Sequence, residues 1–331
     1  MRVLVAGATG AIGRPLVRQL LEHEHEVYGL TRSESSARKL RALGAVPLLG
    51  DARDAVGVRR LLASARPEVI ANELTSLPKQ LNPKKLTVYY ADNNLVRIEG
   101  TEALIDAAIA EGVRRFVSQS AAFWYAADNP GVVADETMPF DERAPEPIGE
   151  AVRTMRTVEG MVRSARGLES VNLRYGTFYG PGTWFARDGE VGLRVRKWQY
   201  PIVGDGRALS SFVHVEDAAA ATVAAIEGTA TGDFNIVDDD PAPAREWLPA
   251  FAAALGGRKP LRIPKVIVRM AIGPGLVHMA TKSQGASNAR ARDLLVWVPA
   301  RVSWRSGFTE LHESTRTVSR AGCALGNRRR K

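Results

Sequence analysis

Residues 2–21 read RVLVAGATGAIGRPLVRQLL and combine a short apolar run, three glycines and the start of a helix. The apolar run at 2–6 does not alternate with polar residues, which is typical of a parallel strand covered on both faces. Gly7, Gly10 and Gly13 follow at a spacing that lets the backbone turn off the strand, approach a pyrophosphate and pack the new helix closely. The N-terminus of that helix offers free N–H groups to an anion. The stretch therefore predicts a dinucleotide-binding loop between the first strand and the first helix.

Length and composition are typical of a globular α/β protein. A chain of 331 residues can bury a large core, and its apolar share of 45% is ordinary. No apolar run reaches the ~20 residues of a membrane span, so we expect no membrane insertion. The formal charge of +9 includes the basic residues 328–331 and is otherwise spread along the helices, so we expect no nucleic-acid surface. The single cysteine, Cys323, excludes an internal disulfide and favours the cytoplasm.

The second predicted strand, EVYGLT at residues 26–31, ends where the cofactor is usually selected. A carboxylate at this point would bind the ribose hydroxyls of adenosine, whereas this chain has Arg32, and Arg38 follows on the next helix. A guanidinium binds a 2′-phosphate through two parallel hydrogen bonds. We therefore expect NADP(H), with NAD(H) as the second candidate. The alternative interpretation of Arg32 is a surface arginine at a helix start.

Three more strands of the same sheet are predicted, at residues 45–51, 68–75 and 115–120. Asp51 ends the first of them, and we expect it to hydrogen-bond an adenine amino group, to cap the following helix, or to do both. A helix is predicted over residues 89–111. Its expected core face consists of the apolar residues at helical spacing, Leu95, Ile98, Ala103, Leu104 and Ala108.

Six motifs follow one another in a recognisable order. They are GATGAIG (7–13), LGD (49–51), GT (100–101), FVSQS (116–120), LRYGTFYGPG (173–182) and FVHVEDA (212–218). On these motifs the chain resembles an extended short-chain dehydrogenase/reductase of the NAD-dependent epimerase/dehydratase type. The series runs from residue 2 to about residue 240 and covers most of the chain. The resemblance implies an α/β fold, a Rossmann doubly wound parallel sheet with a smaller C-terminal substrate lobe.

The resemblance also implies roles for individual residues. Ser120 would be the active-site hydroxyl, and Tyr175 would lie beside the nicotinamide ring. Leu74 and Thr75 would lie along the nicotinamide half of the cofactor, and Asn94 near its phosphates. From the residues alone, Ser120 fits a turn cap and Tyr175 a core position equally well, and both alternatives stay open. The expected cofactor-binding residues are Gly7, Thr9, Gly10, Ala11, Ile12, Gly13, Arg32, Arg38, Asp51, Ala52, Leu74, Thr75, Asn94, Gly176 and Thr177.

The helix after the fifth strand departs from the family pattern. Family members normally carry a tyrosine there and a lysine four residues later. The tyrosine transfers the proton, and the lysine lowers its pKa and binds the ribose. Anchored on Glu159, these positions fall on Ala151 and Met155, and no Tyr-x-x-x-Lys occurs between Ser120 and Arg174. The chain thus resembles the atypical members, which keep the fold and the cofactor without this pair.

We expect an NADP-binding domain at 1–175, rejoined by strands near 210–240, a substrate lobe at 176–310 and a flexible tail at 311–331. No cysteine/histidine cluster has the spacing of metal ligands, so we expect no metal site.

The expected function is an NADP(H)-dependent oxidoreductase that transfers hydride to or from a small organic carbonyl, quinone or enone. Ser120 and Tyr175 would stabilise the developing oxyanion. A nucleotide-sugar epimerase or dehydratase and a non-catalytic NADP(H)-binding sensor are the alternatives, since fold alone does not decide function. The expected partner is a small-molecule substrate, with neither nucleic acid nor membrane, and the expected state is a cytoplasmic monomer or homodimer.

Overall fold

The computed structural model describes residues 1–80, 82, 85–125 and 132–311. All of the expected flexible tail except Leu311 lies outside the described residues. Within those ranges no helix is both long and apolar enough to cross a membrane.

The strands and helices alternate through the first half of the chain and become shorter in the second half. The strands are β1 (Arg2–Ala6), β2 (Glu26–Thr31), β3 (Val46–Leu49), β4 (Val69–Asn72), β5 (Arg115–Ala121), β6 (Val133–Ala134), β7 (Glu169–Tyr175), β8 (Thr177–Tyr179), β9 (Ile202–Val203), β10 (Leu209–Ser210), β11 (Phe212–His214), β12 (Gly232–Ile236), β13 (Ala242–Pro243), β14 (Arg262–Ile263) and β15 (Gly285–Ala286). The helices are α1 (Gly13–Glu22), α2 (Glu34–Leu43), α3 (Ala55–Ala65), α4 (Leu86–Ala110), α5 (Ile148–Ser164), α6 (Glu190–Arg196), α7 (Val215–Glu227), α8 (Ala244–Ala254), α9 (Lys265–Lys282) and α10 (Ala289–Leu294).

Seven strands form one parallel sheet in the order β12-β7-β5-β4-β1-β2-β3. The chain builds outward from β1 through β2 and β3, then crosses to β4 on the other side of β1 and builds outward again. Ala6 and Asn72 lie opposite each other at the carboxyl ends of the two central strands. A crevice for ligands opens where the strand order reverses in this way. The sheet is a Rossmann-type doubly wound sheet, and the predicted fold class is confirmed.

Helices cover both faces of the sheet, which explains why its strands are apolar without alternation. On one face the buried side chains come from α1 and α7, including Leu16, Leu20 and Ile226. On the other face they come from α3 and α4, including Val58 and Leu104. These helices leave the carboxyl edge of the sheet uncovered. Residues of this edge line a cavity together with residues from the C-terminal part of the chain.

A smaller apolar core of aromatic residues forms the C-terminal lobe. Phe212, Trp247, Phe251, Trp304 and Phe308 are all buried in it. Ring centroids lie 5.2 Å apart for Phe212 and Trp247 and 4.9 Å apart for Phe251 and Phe308, within the range in which aromatic pairs attract each other. The lobe therefore has a core of its own, while its boundaries at 176 and 310 stay a prediction.

The late strands near 210–240 behave differently from one another. β12 joins the large sheet beside β7, with Phe234 opposite Leu173. β11 instead pairs with β8 in a separate two-stranded sheet, so the expectation that the strands near 210–240 rejoin the large sheet is wrong for β11. The reason lies at Gly176, where a Cβ would be 2.7 Å from the Ser211 carbonyl oxygen. Only glycine lets the chain leave β7 and run this close to the segment before β11.

Candidate functional site

A cavity of about 1820 Å³ opens at the carboxyl edge of the large sheet and extends beneath the aromatic lobe. Small-molecule sites typically measure about 300–1,000 Å³, so this cavity has room for a dinucleotide and a small substrate together. The predicted site residues that line it are Gly7, Thr9, Gly10, Ala11, Ile12, Arg32, Asp51, Ala52, Leu74, Thr75, Asn94, Ser120, Tyr175, Gly176 and Thr177. Gly13 and Arg38 lie outside the lining. The functional roles of all these residues stay predictions.

The glycine loop after β1 presents one of its three glycines to solvent in the cavity. Gly7 has a φ of +86°, and a Cβ there would lie 2.4 Å from the Glu73 carbonyl oxygen, so the turn excludes a side chain. A Cβ at Gly13 would lie 2.2 Å from the Gly7 oxygen, which shows how closely α1 packs on the loop. Gly10 is exposed, and its N–H donates to the Gly7 oxygen at 2.9 Å. The loop fits a ligand that approaches the backbone at Gly10, as a pyrophosphate would.

The end of β2 places a free guanidinium at the cavity. Arg32 is exposed, lines the cavity and makes no ion pair with the residues the structure describes. Beside it, the Ser33 hydroxyl accepts a hydrogen bond from the Ser36 N–H at 3.3 Å and caps α2. Arg38 is exposed on α2, away from the cavity lining. Of the two arginines predicted here, only Arg32 is therefore in place to meet a ligand in the cavity.

Asp51 lies on the cavity wall just after β3. Its Oδ1 accepts a hydrogen bond from the Arg53 N–H at 3.0 Å. That hydrogen bond, with the positive charges of Arg53 and Arg32, holds the pKa of Asp51 below its usual value. The cap of α3 is Asp54, whose Oδ1 accepts from the Gly57 N–H at 3.0 Å, so the expectation that Asp51 caps this helix is wrong. Its role toward an adenine group stays a prediction.

The Ser120 hydroxyl is hydrogen-bonded to a buried ion pair. Its hydroxyl donates to Glu159 Oε1 at 2.6 Å, and Ser120 is only 2% exposed. Glu159 in turn accepts two hydrogen bonds from Arg174, at 2.8 Å from Nε and 2.7 Å from Nη2. A hydroxyl has one proton, so Ser120 in this arrangement offers lone pairs to a ligand. To donate to a substrate oxyanion, the hydroxyl has to rotate away from Glu159.

Tyr175 lines the cavity while its hydroxyl is tied to buried groups. The hydroxyl donates to Glu73 Oε1 at 3.0 Å and shares a hydrogen bond of 2.7 Å with the Thr222 hydroxyl. Burial, together with the neighbouring Glu73, raises the pKa of Tyr175 well above its usual value. A phenol held in this way is a poor proton donor, so Tyr175 is better placed to support Glu73 than to protonate a substrate.

The two residues that the resemblance aligns with the family's tyrosine and lysine line the cavity. Ala151 and Met155 both line it from α5, and they are 6% and 4% exposed. Neither side chain can exchange a proton. That these two residues replace the family's proton-transfer pair stays a prediction.

The helix α4 brings two further polar residues to the cavity wall beside α5. The sequence analysis did not predict them as site residues. Arg97 is buried, lines the cavity, and its Nη1 lies 3.8 Å from the Met155 sulfur. Tyr90, two turns earlier, also lines the cavity. Burial raises the pKa of Tyr90 to about 12 and lowers that of Arg97 to about 10. Burial also raises the pKa of Glu73, near Arg97, to about 8.

The far side of the cavity is aromatic. Trp184, Phe185, Trp198 and Tyr200 line it from the segment between β8 and β9. The Trp184 Nε1–H donates to the Pro78 carbonyl oxygen at 3.2 Å, which joins the lobe to the loop after β4. These rings make this wall of the cavity apolar.

A parallel sheet with its ligand crevice at the strand-order reversal, and a loop shaped for a pyrophosphate, define a dinucleotide-binding Rossmann enzyme. The family model described as "NAD dependent epimerase/dehydratase family" matches residues 3–237. The chain belongs to this family.

Relatives and solved structures agree with this assignment. The chain is 42% identical over 309 residues to the 3-diazoavenalumate denitrifying reductase of a Streptomyces species, covering 93% of this chain and 99% of the relative. UDP-glucose 4-epimerase of Thermus thermophilus in complex with NAD has a TM-score of 0.72 at 26% identity, covering 96% and 99%. A human epimerase family protein with NADPH shares the fold at 22% identity, with a TM-score of 0.73 and coverage of 95% and 99%. The chain is accordingly an NAD(P)-dependent oxidoreductase.

Proposed function

We propose that the protein is an NADPH-dependent reductase of a small, electron-poor organic substrate such as a quinone, an enone or a diazo compound. The observation that carries this proposal is the wall of α5. The cavity has a glycine loop that is open at Gly10, and its α5 wall carries Ala151 and Met155, the residues that the resemblance aligns with a proton donor and its lysine. Hydride chemistry is retained in such a site, whereas protonation of a simple alkoxide has no assigned donor.

The bound nicotinamide cofactor would supply the hydride, and the protein's own residues would bind and orient both ligands. The Gly10 loop would hold the pyrophosphate, Arg32 the 2′-phosphate, and Leu74, Thr75, Gly176 and Thr177 the nicotinamide half. The aromatic wall at Trp184 would exclude water and stack on a flat substrate. With Ser120 donating to Glu159, substrates whose hydride adduct is a delocalised anion or a neutral molecule react most easily.

The proposed substrate class follows from how much each hydride adduct depends on protonation. A quinone or enone accepts hydride to give a delocalised anion, and the terminal nitrogen of a cationic diazonium group accepts it to give a neutral diazene. A simple ketone gives a localised alkoxide that needs a proton or a strong stabiliser at once. The diazo group in the printed name of the 42% identical relative fits this order. We also propose a monomer or homodimer that acts in the cytoplasm.

The test is a turnover panel with purified protein and NADPH. We expect a quinone, an enone or an arenediazonium salt to be reduced faster than an aliphatic ketone, measured as the loss of NADPH absorbance with blanks lacking protein. Equal or faster reduction of the ketone would contradict the proposal that the site lacks a proton donor. Interconversion of a nucleotide sugar would favour an epimerase, and tight NADPH binding without any turnover would favour a sensor.

Arg32→Ala is expected to lower the affinity for NADPH by about 10- to 100-fold and to leave the affinity for NADH nearly unchanged. A charge-assisted contact to a phosphate contributes about 1.5–3 kcal/mol, which gives this range. Titration of both cofactors by fluorescence measures the effect. Arg60→Ala is the matched control, since Arg60 is exposed on α3 outside the cavity lining. Equal affinities of the native protein for NADPH and NADH would refute the predicted preference.

A further inference from the structure

Among the residues the structure describes, Arg97 differs from the other buried arginines because no oxygen accepts a hydrogen bond from it. Arg174 is paired with Glu159, and Arg115 donates to the carbonyl oxygens of Ala225 and Ala230 and to Glu169. Arg97, at 9% exposure, contacts the Met155 sulfur. Its Nε has no hydrogen-bond partner among the residues the structure describes. Burying a guanidinium without an oxygen partner costs free energy of folding, so a bound ligand that supplies such a partner would offset this cost.

The groups packed around Arg97 do not balance its charge at neutral pH. From α5 it meets Met155, and Ala151 lies one turn away, so that helix supplies no charge there. Burial raises the pKa of Glu73 to about 8 against the opposing effects of Tyr175 and Arg97, so this carboxyl is mostly protonated at pH 7. Arg97 itself keeps its proton, because burial lowers its pKa only to about 10. Tyr90, with a pKa of about 12, is neutral.

A second unpartnered donor lies one turn away on the same helix. Asn94 is 5% exposed, lines the cavity, and its Nδ2 has no acceptor within the described part of the chain. Residues three apart on a helix lie on the same face. Asn94 and Arg97 thus lie on one face of α4 that lines the cavity, beside the α5 wall at Met155. Because the unpartnered Arg97 Nε and Asn94 Nδ2 are themselves buried, an oxygen-rich anion in the cavity would satisfy them once the two side chains rotate toward it.

We propose that Arg97, assisted by Asn94, binds an anionic group of the substrate, of the carboxylate class. This inference rests on the proposed function for the identity of the ligand as a substrate. The cofactor is the other source of anionic oxygens. In the proposed function the Gly10 loop and Arg32 would bind its pyrophosphate and 2′-phosphate, and the prediction that places Asn94 near these phosphates is the alternative that the NADPH titration below tests. Arg97 instead contacts the helix that carries the family's reacting pair, so it lies at the substrate end.

The test compares acids with their esters and does not depend on turnover. Benzoate and cinnamate, and their methyl esters, are titrated calorimetrically into native protein saturated with NADP⁺. We expect the native protein to bind at least one acid more tightly than its ester. Arg97→Gln should weaken binding of the acid by about 10- to 100-fold and leave the ester unchanged, as expected for loss of a charge-assisted hydrogen bond. Arg97→Lys should recover part of the affinity.

Further measurements separate the alternatives. Arg60→Gln, which removes an exposed charge from α3, is the matched control and should change nothing. The affinity for NADPH should stay within about threefold in Arg97→Gln, and its melting temperature should not fall, since an uncompensated buried charge is removed. A loss of NADPH affinity, a lower melting temperature with unchanged acid binding, or no acid binding by the native protein would overturn the inference. Arg97-dependent acid binding without any reductase activity would refute only the proposed function.

Discussion

Gly10→Val is expected to weaken NADPH binding by at least ~100-fold, which corresponds to about 2.7 kcal/mol, while the protein stays folded. Gly10 is exposed in the cavity, and the nearest atom to an added Cβ is the Gly7 oxygen at 3.1 Å. A valine side chain would therefore fit the protein with small adjustments but would occupy the space in which a pyrophosphate meets the backbone. Fluorescence titration with NADPH measures the affinity, and circular dichroism with a thermal melt checks the fold.

The neighbouring glycines show why Gly10 is the informative position. A Cβ at Gly7 or Gly13 would collide with backbone at 2.4 or 2.2 Å, so substitutions there report on folding and not on the ligand. Gly160→Val is the matched control, because Gly160 lies on α5 with nothing within 4 Å of its added Cβ. We expect Gly160→Val to bind NADPH like the native protein. Gly10→Val that binds NADPH within tenfold of native would mean that the loop is only a structural turn.

The parts of the fold carried by local patterns were predictable from the sequence. β2 was predicted at residues 26–31 and is observed at Glu26–Thr31, and β5 was predicted at 115–120 and is observed at Arg115–Ala121. Each strand carries a short apolar core, Val27 to Leu30 in β2 and Phe116-Val117 in β5, between polar residues, and burial on both faces of a parallel sheet favours such apolar residues. The glycine loop was predictable for the same reason, since its spacing is imposed by the turn itself.

The polar face of α4 was not predictable from apolar spacing. Leu95, expected in the core face, is 49% exposed, whereas Asn94 and Arg97 are 5% and 9% exposed. The rule that a helix buries its apolar stripe assumes that the neighbouring surface is apolar. α4 instead turns one side to a polar ligand cavity, so polar residues are buried there. The available signal was the spacing of Tyr90, Asn94 and Arg97, which are four and three residues apart and share one helix face.

The partner of Ser120 was also beyond local patterns, because it is fixed by the pairing of distant strands. Ser120 on β5 lies directly opposite Arg174 on β7, and α5 places Glu159 against both. Glu159 is 39 residues from Ser120 in the chain. The sequence indicated Ser120 as an active-site hydroxyl, but only the packing of three elements shows that its proton is committed to a buried ion pair.

Arg174→Met is expected to destabilise the protein by about 3–5 kcal/mol, the usual result of removing one partner of a buried ion pair. Arg174 and Glu159 have side chains only 6% and 3% exposed. Without Arg174, the Glu159 carboxylate would keep the Ser120 hydroxyl at 2.6 Å and the largely exposed Arg163 at 3.6 Å. These contacts replace neither the two hydrogen bonds from Arg174 nor its charge, so the carboxylate stays buried and poorly compensated. Urea unfolding measures the free energy.

The second substitution of the pair should then recover stability. In Arg174→Met/Glu159→Leu no charge is left unpaired at this position, and Asp233 keeps Arg163 and Asn172 as partners. We therefore expect the double variant to be at least as stable as Arg174→Met, although two side chains have been changed. Arg41→Ala, which removes an exposed partner of Glu34, is the control and should cost less than about 1 kcal/mol. Additive losses in the double variant would show that the two residues act through packing and not through their charges.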